Sequence, residues 1–169
     1  HLYPDGGPAV LVDDAPDIAV VTFVIGGEVF QVDNRDITLD GNAITLSNIQ
    51  GQPVLINFWA SWCAPCRTEM PSLELLATRF EAEGLEVLAV NYRETDGAVR
   101  RYVEQTGITL PVLRDRDGAA AQAFGVRIFP TTVAVGRHGR AMFTVVGELD
   151  WSGDAARSWI APVLSSSPR

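Results

Sequence analysis

Val54-Leu55-Ile56-Asn57-Phe58-Trp59 is a nearly continuous apolar run, and a run of that kind has to be covered on both faces. It reads as the central strand of an α/β sheet. Just beyond it come Cys63 and Cys66, the only two cysteines in 169 residues. A structural staple stabilises by closing a long loop, and two intervening residues close almost nothing. So tight a pair suits a reversible couple or half of a metal site. Two cysteines and two histidines cannot supply both a disulfide framework and a tetrahedral zinc cage. The net charge of −8 argues against a phosphate-tracking surface, so no nucleic-acid partner is expected.

The length fits one globular domain. His1 to Pro16, rich in Pro, Gly and Asp, reads as an irregular arm. Ile18 to Ile25 and Glu28 to Val32 flank Gly26-Gly27, a two-residue hairpin signal. A second hairpin is expected from Asp36 to Leu39 and Ala43 to Leu46 around Asp40-Gly41-Asn42. From Ala64 to Glu83, Met70, Leu73, Leu76, Ala77 and Phe80 recur at helical spacing, with Pro71 kinking the helix and Gly84 stopping it. Leu85 to Val90 reads as a buried strand, Asp96 to Thr106 as a helix ending at Gly107, Leu110 to Leu113 as a short strand and Gly118 to Phe124 as a short helix. Thr131 to Val135 and Ala141 to Val146 form a late hairpin, and Trp151 to Leu164 a last helix capped by Ser152. This order gives a mixed sheet flanked by helices. The longest apolar stretch, Ile18 to Ile25, is far too short to span a membrane. The start at His1 is read as a trimmed or processed form whose upstream signal or anchor is missing.

The segment Phe58-Trp59-Ala60-Ser61-Trp62-Cys63-Ala64-Pro65-Cys66 resembles the active-site segment of thioredoxin-fold proteins, and the likeness continues through Pro71 and Phe129-Pro130-Thr131-Thr132. Within that superfamily, Leu88 to Glu94, Gly107 to Val112 and Gly147 to Trp151 are similar to segments of the bacterial TlpA, ResA and CcmG proteins. The likeness covers Asp36 to Leu164. It implies a thioredoxin-like domain over 36–164 with a central αβ insertion; residues 1–35, an arm and an extra N-terminal β-hairpin, lie outside the likeness, and 165–169 form a tail.

At the start of a helix, Cys63 would face unpaired backbone N–H groups and the positive end of the dipole, which favour a thiolate. Cys66, one turn deeper, is placed to resolve a mixed disulfide by attacking Cys63. Pro65 sets φ in the first turn without removing a needed donor. The resemblance further implies that Pro130 is cis and faces the cysteines, leaving Phe129 backbone groups free for a substrate chain, with Trp62 facing the partner and Trp59 packed under the site. Many thioredoxins carry a buried aspartate where this chain has Asn57, which cannot titrate. The family likeness therefore assigns proton transfer to and from Cys66 to Glu94; the bland alternative is a solvated loop carboxylate. Arg67 reads more simply as a solvated helix arginine than as a thiolate-stabilising cation, His138 as a surface turn residue, and Trp151 and Trp159 as packing for the last helix.

The activity implied is thiol:disulfide exchange on protein cysteines, with no cofactor beyond a redox-active Cys63–Cys66 disulfide. The expected setting is a periplasmic or extracytoplasmic monomer, free or anchored by an N-terminal segment outside this chain. The expected role is that of a reductant in cytochrome c or copper-site maturation, recharged by a membrane thiol-transfer reductase. The rival is a copper-binding thioredoxin-fold chaperone, since soft thiolates suit Cu(I), although such chaperones use CxxxC and a nearby histidine.

Overall fold

A computed structural model describes residues 9–15, 18–25, 28–33 and 51–168. Eight strands form one sheet in the order β1-β2-β3-β6-β5-β4-β7-β8. The middle of the sheet is β4 (Val54–Trp59), which pairs in parallel with β5 (Glu86–Tyr92) and antiparallel with β7 (Thr131–Val135). Beyond β5 lies β6 (Val112–Asp115), parallel to it, and beyond β7 lies β8 (Ala141–Val146), antiparallel to it. Among the described residues the α-helices are α1 (Ala64–Phe80), α2 (Asp96–Thr106), α3 (Ala119–Ala123) and α4 (Asp154–Leu164).

The apolar run of β4 is covered on both faces, and the two-residue alternation of a strand divides it. Leu55 and Trp59 enter a core built with Met70, Leu73 and Leu76 of α1, Tyr102 and Val103 of α2, and Ile160 of α4. Val54, Ile56 and Phe58 enter a second core with Leu88, Val90, Leu113, Val133 and Phe124, which lies just past α3. All six residues of β4 are buried. Burying one large apolar side chain is worth about 1.5–3 kcal/mol, so β4 is the main anchor for whatever follows it.

The N-terminal part departs from expectation. Residues 1–16 were expected to be irregular, yet Ala9–Ala15 form β1, paired along its length with β2 (Ile18–Ile25) from Ala9↔Val24 to Ala15↔Ile18. Its partner β2 is only two residues further along the chain, and what hides the strand is local: Pro, Gly and Asp residues surround the short apolar run Val10-Leu11-Val12. With β3 (Glu28–Asp33) the extension is thus a three-stranded meander, joined to β6, among the described residues, at the pair Asp33↔Arg114. The hairpin expected over residues 36–46 lies outside the described residues.

Elsewhere the boundaries move slightly. Helix α1 runs through Pro71 to Phe80 and ends in one 3₁₀ turn, Glu81–Glu83, before Gly84 at φ 86°. The left-handed turn calls for glycine there, and a Cβ would in addition displace the end of the Gln52 side chain. Helix α4 begins at Asp154 with Gly153 as its N-cap, so Ser152 is not the cap. The Ser152 N–H and hydroxyl both donate to Asp150 Oδ1, which engages that side chain before the helix starts.

Candidate active site

The end of β4 and the start of α1 fix the cysteines. Cys63 is the N-cap of α1, with Pro65 in the first turn. The two sulfurs form a disulfide, with the Cα atoms 5.3 Å apart. The Cys66 backbone N–H donates to Cys63 Sγ at 3.2 Å, and Cys63 N–H donates to Ala60 O at 3.2 Å. A donor aimed at Cys63 together with the helix dipole favours a thiolate there once the bond is open. Cys66 is the more deeply covered, at 1% exposure against 5% for Cys63.

Around the motif, Trp62 stands 66% exposed. Its ring meets Phe129 edge-on, with centroids 5.9 Å apart, and Phe129 packs against Tyr92 at 4.7 Å. The Phe129–Pro130 peptide bond is cis. Trp59 is fully buried, its ring 4.6 Å from that of Tyr102. Arg67 is exposed but held: Nε donates to Ser61 O at 2.8 Å, and its guanidinium lies 5.3 Å from the Tyr102 ring centroid. His138 lies in the β7–β8 turn, where Nδ1 accepts from Arg140 N–H. Trp151 is buried just before α4, whereas Trp159 is 45% exposed against Phe143.

Glu94 is half-buried and committed to the turn that precedes the cysteines. It accepts from Ser61 N–H at 2.6 Å, from the Ser61 hydroxyl, and from Asn91 Nδ2 at 2.8 Å. Neither sulfur is among its hydrogen-bond partners. Its loop is tied down in turn by Arg114, only 3% exposed, which donates to Glu94 O at 2.5 Å and pairs with the Asp96 carboxylate. That guanidinium holds the Asp96 carboxyl below its ordinary value.

Sequence reasoning missed a second carboxyl. Glu69, one turn beyond Cys66 on α1, is 2% exposed. Its oxygens accept from Asn57 Nδ2 and from Leu149 N–H, each at 2.9 Å, and Asn57 also donates to Thr132 Oγ1 at 2.9 Å. Burial pushes the Glu69 carboxyl above its ordinary value, and the hydrogen bonds it accepts work against that rise. The signal was present: Cys66, Glu69, Met70 and Leu73 share one helix face, and only Glu69 breaks its apolar character. Glu69, Asn57 and Thr132 thus link α1, β4 and β7 at the base of the site. Among the described residues no group of three or more His, Cys, Asp or Glu could hold a metal ion.

A sequence profile of the AhpC/TSA family matches residues 13–144. The thiol-disulfide oxidoreductase ResA of Halalkalibacterium halodurans is 37% identical over 101 residues, which are 60% of this chain and 57% of that protein. The chain thus spans less than two thirds of the length of this curated relative. Among solved structures, the pneumococcal exposed lipoprotein thioredoxin of Streptococcus pneumoniae superposes with a TM-score of 0.63 at 26% identity, covering 72% of this chain and 93% of that one. A thiol:disulfide interchange protein of the thioredoxin family from Chlorobium tepidum superposes with a TM-score of 0.66 at 19% identity over 96% of this chain and 99% of that one. The last of these likenesses establishes the fold alone.

Proposed function

The chain belongs to the AhpC/TSA family, and from that membership and the site's geometry we propose that it is a thiol:disulfide oxidoreductase acting on protein cysteines. One observation carries this reading: a disulfide at the N-terminus of α1, with the Cys66 N–H aimed at Cys63 Sγ. In the reducing direction the Cys63 thiolate attacks a substrate disulfide. The Cys63–substrate bond forms, the substrate S–S bond breaks, and the leaving thiolate takes up a proton. Cys66 then loses its proton and attacks Cys63, which closes the internal disulfide and releases the second substrate thiol. Two electrons and two protons pass to the substrate, and no cofactor is needed beyond the cysteine pair.

The substrate chain docks on the face made by Trp62, Phe129 and Pro130, where the backbone around Phe129 offers pairing groups. Glu94 sets the approach to Cys63 through Ser61, and it carries the Cys66 proton when that contact opens. The proposed setting is extracytoplasmic, with a reductant's role in cytochrome c or copper-site maturation and recharging by a membrane thiol-transfer reductase. No helix among the described residues is long and apolar enough to cross a membrane. Direction rests on the reduction potential, where about 30 mV corresponds to about 1.4 kcal/mol.

The test is reduction of an insulin-like protein disulfide by the reduced chain. Turnover that is lost in Cys63→Ser supports the proposal. No turnover by the native chain, together with stoichiometric copper held by the two thiols, would favour the copper chaperone instead.

A further inference from the structure

Arg93 is the one described non-glycine residue with positive φ, at 53°. Glycine takes that conformation freely, and an arginine there is strained. Strain held at one position points to a use for its side chain. The Arg93 N–H donates to Asp115 O at 3.0 Å, which fixes the backbone. The side chain then lies along Tyr92, its guanidinium 5.9 Å from the ring centroid. Gly118, at φ 78°, makes the room: a Cβ there would come within 2.8 Å of both Arg93 Cδ and Tyr92 Cε1.

This packing opens a cleft of about 300 Å³ lined by Tyr92, Arg93, Asp117, Gly118 and Arg127 among others. Arg93 and Arg127 are both exposed, and neither guanidinium has a hydrogen bond or ion pair among the described residues. Asp117 also lines the cleft, but its Oδ1 accepts from Ala119 N–H at 3.0 Å, which satisfies part of that carboxylate. The cleft adjoins the substrate-facing surface. Arg127 is followed directly by Ile128, 58% exposed, then by Phe129 and the cis Pro130, and the Phe129 ring joins Tyr92 to Trp62. Two unpaired cations therefore flank an apolar patch on a chain whose net charge is −8.

We infer that this cleft seats an acidic side chain of the protein substrate, so that the chain selects partners carrying Asp or Glu near the reacting cysteine. The assignment rests on the exchange reading above. The apolar patch takes the segment around the cysteine, while Arg93 and Arg127 take the carboxylate, a pairing that guanidinium groups form well. Charge complementarity of this kind acts mainly on encounter and register, and salt screens it.

The test uses the reduced full chain and three disulfide-bridged peptides that differ at one position near the cysteine: Glu, Gln or Lys. The expected exchange rates fall in the order Glu, Gln, Lys, with about tenfold between the extremes at about 10 mM salt, converging near 0.5 M. The charge reversal R93E/R127E should invert the order. Should that double variant not fold, R127E alone, at an exposed side chain without hydrogen bonds, should narrow the spread. Equal rates for the three peptides, or an order unmoved by charge reversal, would overturn the docking assignment alone. No exchange with any of the three would overturn the exchange reading itself.

Discussion

Asn57 and Glu69 meet between β4 and α1, the Asn57 amide donating to the buried Glu69 carboxylate at 2.9 Å. The contact joins the strand that leads into Cys63 to the helix that carries Cys66. It puts a carboxyl, rather than a surface charge, one helical turn from the resolving cysteine.

Burial raises the Glu69 carboxyl above its ordinary value of 4.5. The unfolded chain therefore releases this proton at lower pH than the folded chain does. Between the two values the folded state binds more protons, so the stability this group contributes is full below about pH 4.5 and is lost as pH rises through the folded value. Asp115, raised by burial as well, adds a decline of the same sign from its ordinary 3.8 upward. Denaturant midpoints of the disulfide form, taken from pH 4 to 8, should show this fall. Glu69→Gln and Asp115→Asn should each flatten it in part; an identical pH slope in the Glu69 variant contradicts the account.

Asp96 works in the opposite sense. Its carboxyl is held low by Arg114, so it contributes stability above its ordinary 3.8, and that contribution is lost as pH falls through the folded value. Asp96→Asn should cost about 1 kcal/mol at neutral pH, a modest figure because the Asp96 side chain is about half exposed. The variant and the native chain should converge as pH falls through the folded value, as chemical denaturation would measure.

Glu94 holds Ser61 through both its N–H and its hydroxyl. Glu94→Gln should slow exchange about tenfold or more and displace its pH profile while the fold survives. Ser61→Ala, which keeps the N–H contact and loses only the hydroxyl, should slow it less. Stopped-flow exchange across pH separates the two roles: a slower rate with an unshifted profile leaves Glu94 as a positioning residue only.

Gly84 closes α1 at φ 86°, with Gln52 in the place a Cβ would take. Gly84→Ala should cost about 1–2 kcal/mol from the left-handed backbone alone, and more if Gln52 cannot withdraw. Thermal unfolding reads this directly.

What the sequence disclosed follows from how local its causes are. Helix α2 was legible to the residue because Thr95 caps it, its side chain accepting from Ala98 N–H, and Gly107 ends it in the left-handed region. Strands β7 and β8 were legible as two short strand-forming runs on either side of the turn at residues 136–140. Strand β1 was not, since the Pro, Gly and Asp residues around Val10-Leu11-Val12 masked a strand that pairs with the very next segment. Glu69 and Arg114 were missed for a different reason: Leu149, Asn57 and Asp96, which make them tolerable inside the protein, lie in other elements of the chain. For Ser152, the competing Asp150 side chain decided against the cap.

The central claim is that Cys63 attacks and Cys66 resolves, and intact-mass analysis after mixing with a disulfide-bridged peptide tests it most directly. Cys66→Ser should accumulate one covalent peptide adduct, released by added thiol, and Cys63→Ser should accumulate far less. No adduct in Cys66→Ser, or equal adducts in both variants, would contradict the account.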